Sequence, residues 1–185
     1  MKNIILSFLL LFLSATPHLH AQESTTVKIG WDKKEVLLNG IALDKSSGLK
    51  EVIKVVGQAN RVLSDDTLST RLYIYDSLGL AIVIDTVSNQ LQTMFIYLSK
   101  GRGGDFETSP KKLFTGTLFI NEELISPAEK IDPILEKTKL PFKEWSPGFY
   151  WYTAANEEFN ITITYRDKKK EVITSCYIQF ISDED

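Results

Sequence analysis

Past residue 20 the chain has no histidine: both histidines, His18 and His20, fall within the first twenty positions. Histidine is the commonest general base near neutral pH and the commonest metal ligand, so its absence removes two chemistries together. Ser-His-Asp and Cys-His hydrolases are excluded in their usual forms. Cysteine is nearly missing as well, with Cys176 alone. One thiol closes no internal disulfide, and a tetrahedral zinc site needs several Cys or His ligands. Neither a metal nor a cofactor is expected, and stability has to come from packing. Positive charge is in short supply, with 21 Lys and Arg against 24 Asp and Glu. The one cationic run, "RDKKK" from Arg166 to Lys170, sits beside Tyr165 and Glu171 like a solvated hairpin turn. Binders of nucleic acid carry a basic stripe, so nucleic acid is not an expected partner.

What is present begins with a leader. Lys2 precedes the apolar run Ile4–Leu13, and the small residue Ala21 precedes the polar pair Gln22-Glu23. That is the order of a secretory signal peptide. Crossing a bilayer takes about 20 apolar residues, so the run is too short to span one, and no later stretch is long and apolar enough to do so. The expectation is cleavage after Ala21 and export to the periplasm or beyond it, as a soluble chain. With no cysteine near the junction, no lipid anchor is expected.

Residues 38–57 read "LNGIALDKSSGLKEVIKVVG", and residues 120–140 return a degraded echo, "INEELISPAEKIDPILEKTKL". Before the first copy, "TVKIGWDKKEVLLNG" predicts two short strands, Val27–Trp31 and Glu35–Leu38. Within it, Leu49, Val52, Ile53 and Val56 fall at i, i+3, i+4, i+7, one stripe of a helix. Ser46 or Ser47 can cap that helix, and Gly57 can close it. "QANRVLSDDTLST" reads as a loop. Then "RLYIYD", "GLAIVIDT" and "LQTMFIYL" read as three antiparallel strands with turns at Gly79 and Asn89. "SKGRGGDFETSPKK", residues 99–112, breaks every periodicity and reads as a linker rather than a phosphate-binding loop.

With Asn39 laid on Asn121, the stripe Leu49, Val52, Ile53 falls on Ile131, Ile134, Leu135. Ser126-Pro127-Ala128-Glu129 is a helix-start signature, which Pro133 kinks or restarts with Asp132 as the new cap. "FYWYT", "FNITITY" and "VITSCYIQF" match the first three strands. The expected fold is therefore α+β: two tandem repeats, each a strand, a helix and a three-stranded antiparallel meander, with helices packed on one face of the sheet. The division is 1–21 signal peptide, 22–98 first repeat, 99–112 linker and 113–185 second repeat.

The motif "LNG", the short helix ending in glycine and "R..YIYDSLGLAIVI" resemble a family of uncharacterised exported bacterial proteins known only as a domain of unknown function. The repeat design is also similar to small outer-membrane assembly lipoproteins and to tandem-repeat β-lactamase inhibitor proteins. The lipoproteins carry an acylated cysteine and the inhibitors disulfides, and this chain has neither. The resemblance implies a non-enzymatic binding scaffold, and no functional residue carries over.

Aromatic residues supply the candidate site. "PFKEWSPGFYWYT", residues 141–153, is crowded with rings, and Tyr73, Tyr75, Phe95 and Tyr97 add to them. On a strand, Tyr150 and Tyr152 point one way and Phe149 and Trp151 the other. One set faces the core, and the other lines the free sheet face or is buried between the two halves. Trp145, Tyr150, Tyr152, Tyr73 and Tyr75 are the candidate binding residues, with Trp145 the best exposed anchor. Cys176 shares a strand face with Ile178 and Phe180 and reads as a small buried hydrophobe. The carboxylate pairs Asp65-Asp66, Glu122-Glu123 and Glu157-Glu158 read as solvated turns. The chain is expected to be an exported, non-enzymatic interaction module of the bacterial cell envelope that binds a protein or envelope component. The alternative is a carboxylate-dependent hydrolase of envelope glycans, which would need two acids facing across a cleft.

Overall fold

A computed structural model of the protein describes residues 24–65, 67–99, 107–127, 129–145, 150–166 and 172–181; the leader expected at 1–21 lies outside them. Among the described residues thirteen strands form two sheets. The smaller contains β1 (Thr26–Gly30), β2 (Glu35–Leu38), β3 (Ile41–Leu43), β8 (Thr117–Ile120) and β9 (Glu123–Ile125), in the order β3-β2-β1-β8-β9. The larger contains β4 (Arg61–Asp65), β5 (Thr70–Tyr75), β6 (Leu80–Asp85), β7 (Leu91–Tyr97), β10 (Lys143–Glu144), β11 (Trp151–Ala155), β12 (Phe159–Tyr165) and β13 (Ile173–Phe180). Its order is β10-β11-β12-β13-β7-β6-β5-β4, antiparallel throughout, with β7 against β13 at its centre. The two helices among the described residues, α1 (Leu49–Val56) and α2 (Ile131–Thr138), are eight residues each.

The α+β arrangement is overturned. The inner face of the larger sheet shares its core with a second sheet rather than with a layer of helices, and the fold is mostly β. Val27, Ile29, Val36 and Leu38 of the smaller sheet join Leu80, Ile82, Met94, Ile96, Ile161, Ile163 and Ile178 of the larger in one buried cluster. Of the α1 stripe only Val52 is fully buried, while α2 contributes Ile131, Ile134 and Thr138. Helical periodicity was a true signal of short helices and a false one of a helical layer. Stretches of two to five residues are too brief to show alternation, so the sequence does not announce β3, β4, β9 and β10, and β4 runs through the expected loop.

Caps and turns follow from local chemistry. Gly57 at φ 80° closes α1, donating its N–H to Ile53 O at 2.9 Å. Neither serine is the N-cap; Gly48 is, and its N–H is taken by Glu51 Oε2 at 3.0 Å. Of the capping box expected at Ser126, the glutamate half forms, with Ser126 N donating to Glu129 Oε2 at 3.0 Å; Glu129 N donates to the Ser126 backbone carbonyl, and α2 starts later, at Ile131. Pro133 then sits in the first turn, where its missing N–H costs nothing.

Strand β1 is antiparallel to β2 and parallel to β8, and an asparagine fixes each of its ends. Asn39 and Asn121 adopt left-handed backbones, φ 51° and 50°, a region asparagine tolerates better than most residues. Thr26 N donates to Asn39 Oδ1 at 2.7 Å, and Trp31 N donates to Asn121 Oδ1 at 2.9 Å. Each side-chain amide also reaches the last turn of a helix, Asn39 at Val55 O and Asn121 at Thr138 O. The two residues thus tie a central strand to both helices.

Candidate functional site

Register decides what the larger sheet shows to solvent, because directly paired residues share a face. Its inner face runs Tyr75, Leu80, Ile96, Cys176, Ile163 and Tyr152 across six strands, with a parallel row from Tyr73 to Ala154. On the outer face, one row runs Ile74, Ala81, Phe95, Tyr177, Thr162 and Thr153. A second runs Leu72, Val83, Thr93, Gln179, Asn160 and Ala155. A third runs Tyr97, Ser175, Thr164 and Trp151. None of these sixteen positions is charged. Ile74, Ala81 and Thr162 among them are buried; in a chain with 24% charged residues, a surface of average composition would place about three charges on the rest.

Rings and hydroxyls occupy the face instead. Phe95 packs on Tyr177 at 5.5 Å and on Tyr97 at 6.3 Å between centroids, tilted by 41° and 36°. Beside them runs a hydroxyl ladder: Thr153 with Thr162 at 2.9 Å, Thr164 with Ser175 at 2.7 Å, and Thr164 with Thr174 at 2.5 Å. One corner is roofed from within. Arg61 donates to both oxygens of Asp76, at 2.9 and 2.8 Å, and to the carbonyls of Glu107 and Ser109, while Lys111 N donates to Asp76 Oδ1. This clamp holds residues 107–112 beside Ile74 and Tyr97. Burial raises the Tyr97 hydroxyl above its ordinary pKa, partly offset by a hydrogen bond with Ser109. Residues 100–106 of the expected linker lie outside the described residues.

The sequence-selected tyrosines fall mostly on the other side. Tyr75 and Tyr152 are 1% and 9% exposed, and Tyr73 and Tyr150 pack against the core. Tyr150 and Tyr152 meet around Tyr165, at 5.7 and 5.8 Å, and the Tyr165 hydroxyl donates to Glu144 at 3.1 Å. Burial first, and Glu144 second, push Tyr165 above the ordinary tyrosine range. Buried rings have little surface to offer a partner. Alternation left open which set points outward; Trp151 shares the outer face, while Phe149 lies outside the described residues. Tyr177 was not singled out, although the burial expected of Cys176 and Ile178 on either side of it was the available signal. Trp145 is 69% exposed and belongs to neither face row.

A concave feature lies on the outer face of the smaller sheet, a groove of about 990 Å³. Lys28, Lys33, Lys137 and Lys139 line it together with Asp32, Glu35, Glu122 and Glu123, equal numbers of each sign. Lys28 stands 5.5 Å from the centre of the Phe119 ring, and Lys33 lies 3.8 Å from Glu35. Of the other acidic pairs, Glu157 bonds Lys34, and the side chains of Asp65 and Asp66 are outside the described residues.

Cys176 is 1% exposed, and burial pushes its thiol up to about 12. A thiolate is what reacts. Native protein at pH 8 should therefore take up a thiol reagent only as fast as it unfolds, and Ellman labelling complete within seconds in the absence of denaturant would contradict this burial.

Among curated proteins none matches the chain. Two solved structures align with it at low similarity: a cysteine-rich secretory protein from Staphylococcus aureus, at 11% identity and a TM-score of 0.42 over 77% of this chain and 45% of the other, and an extracellular protein containing an SCP domain from Bacillus anthracis, at 10% identity and 0.43 over 78% and 48%. The chain spans less than half the length of either. Residues 28–135, more than half of the chain and covering it from within β1 into α2, match a domain of unknown function, DUF7738, and the protein belongs to that family.

Proposed function

We propose that the protein is an exported, non-enzymatic binding module of the bacterial cell envelope, and that its docking face is the outer face of the larger sheet. The observation that carries this is the run of sixteen uncharged positions with Phe95, Tyr97, Tyr177 and Trp151 among them. Depletion of charge and enrichment in aromatics mark the core of an interface, and tyrosine and tryptophan combine apolar area with a hydrogen-bonding tip. Across the six inner strands its three rows have no carboxylate, lysine or histidine, and charge enters the first row only at the edges, with Arg61 beside Ile74 and Lys143 beside Thr153, so the centre of the face offers contact and orientation rather than proton transfer. Its partner is a protein or envelope component whose own contact surface is uncharged. Export rests on the leader at residues 1–21.

The test is capture from the envelope fraction of the producing bacterium with Tyr177→Lys as bait beside the native chain. A lysine in the centre of the face should reduce the specifically retained partner at least tenfold while leaving the circular dichroism melt in place. Trp145→Ala serves as the second bait. Retention unchanged by Tyr177→Lys but lost with Trp145→Ala would move the docking point to the loop and overturn the sheet-face assignment; retention unchanged by either would end the proposal.

A further inference from the structure

Every open sheet must finish its edges, because an unpaired strand displays free backbone donors and acceptors to any passing chain. Here three of the four edges are blunted. Strands β3 and β9 are three residues long, and β10 is two, Lys143 and Glu144, both exposed. Strand β4 is different. It is five residues long, reads RVLSD, and among the described residues pairs only with β5. Val62 on one of its faces is 49% exposed, Leu63 on the other is 36% exposed, and Leu68 in the following turn is 68% exposed. No proline interrupts it, and its two central residues are apolar.

We infer that β4 is a dimerisation edge, pairing antiparallel with β4 of a second copy so that two eight-stranded sheets run on as one. The strand's own sequence points to a copy of itself. In a two-fold pairing that keeps both sheet faces continuous, paired residues must share a face, so the dyad passes through a residue rather than between two. With the dyad at Leu63, Leu63 meets its own copy, Val62 meets Ser64, and the position of Arg61 meets that of Asp65. No like charges oppose, the two ends carry opposite signs, and the apolar pair sits in the middle. Arg61 is already oriented by Asp76. The Leu63 pair would extend the outer row that continues through Leu72 and Val83.

The inference is independent of the partner proposed above, and its test reads mass alone. Sedimentation equilibrium of the purified protein, loaded from roughly 1 to 300 µM, should show a monomer giving way to a dimer, since one strand pair is a small interface with weak, micromolar affinity. Leu63→Lys and Leu63→Glu should each be monomeric across that range with an unchanged melt, because each sets like charges across the dyad. Mixed one to one, the two variants should associate again. Leu124→Lys, at a more exposed leucine on the short edge β9, should dimerise like the native chain. A native protein that stays monomeric throughout, a dimer that survives Leu63→Lys, or a mixture that fails to associate would each overturn the pairing.

Discussion

Gly79→Ala should lower the unfolding free energy by about 3 kcal/mol, the sum of a left-handed backbone and an overpacked contact. Gly79 has φ +70°, and a Cβ built there would lie 2.1 Å from Phe114 N and 2.3 Å from Leu113 C. Both are backbone atoms, and neither side has room to yield. Gly79 N donates to Tyr75 O, Tyr97 N donates to Gly79 O at 3.0 Å, and Phe114 N donates to Tyr97 O at 2.7 Å, so the clash falls within a chain of backbone hydrogen bonds. Urea titration measures the loss directly. Gly40→Ala provides the control, because Gly40 has positive φ with nothing within 4 Å of the added carbon. It should lose only about 1–2 kcal/mol. If the two variants lose the same amount, the contact with residues 113–114 is not as tight as described.

Phe159→Ala should cost about 3–5 kcal/mol, the range for deleting a fully buried phenylalanine. The ring is 1% exposed and meets Trp31, which follows β1, edge to face at 6.0 Å and 81°. It is thus a contact between the two sheets, and its loss leaves a void that neither sheet can fill without moving the other. Total stability for a domain is only about 5–15 kcal/mol, so the variant should be visibly compromised at 37 °C. Trp31 emission should shift to the red as the void admits water. A chain that melts within a degree or two of the native one would show that the sheets do not depend on this contact.

These residues also show how far the sequence could be followed. Strand alternation was legible in "VITSCYIQF", where buried residues alternate with less buried ones from Thr174 on, but not in "LAIVID", whose first three residues are all buried; the turn residues Gly79 and Asn89 have the positive φ that their type suggests. Asn39 and Asn121 were matched from spacing alone, yet their work on β1 is long-range hydrogen bonding that no local pattern announces. The same limit concealed the layer opposite the larger sheet. Four-residue strands such as β2 and β8 have clear local propensity, but which sheet they join depends on β1 lying between them, and that is settled by tertiary packing. The outward face was missed for a related reason. Alternation divides residues into two sets, and only the identity of the covering layer says which set is inside.

The place of β1 also constrains when the molecule can be completed. Its β8 neighbour lies about 90 residues downstream, with Ile29 paired to Ile120. Parallel pairing at that separation is slow, because a long loop must close before any ladder bond forms in return. The smaller sheet therefore has to wait for most of the chain. For a chain exported unfolded, as proposed above, such late closure is an advantage, since a segment that cannot yet find its neighbour also cannot jam the passage.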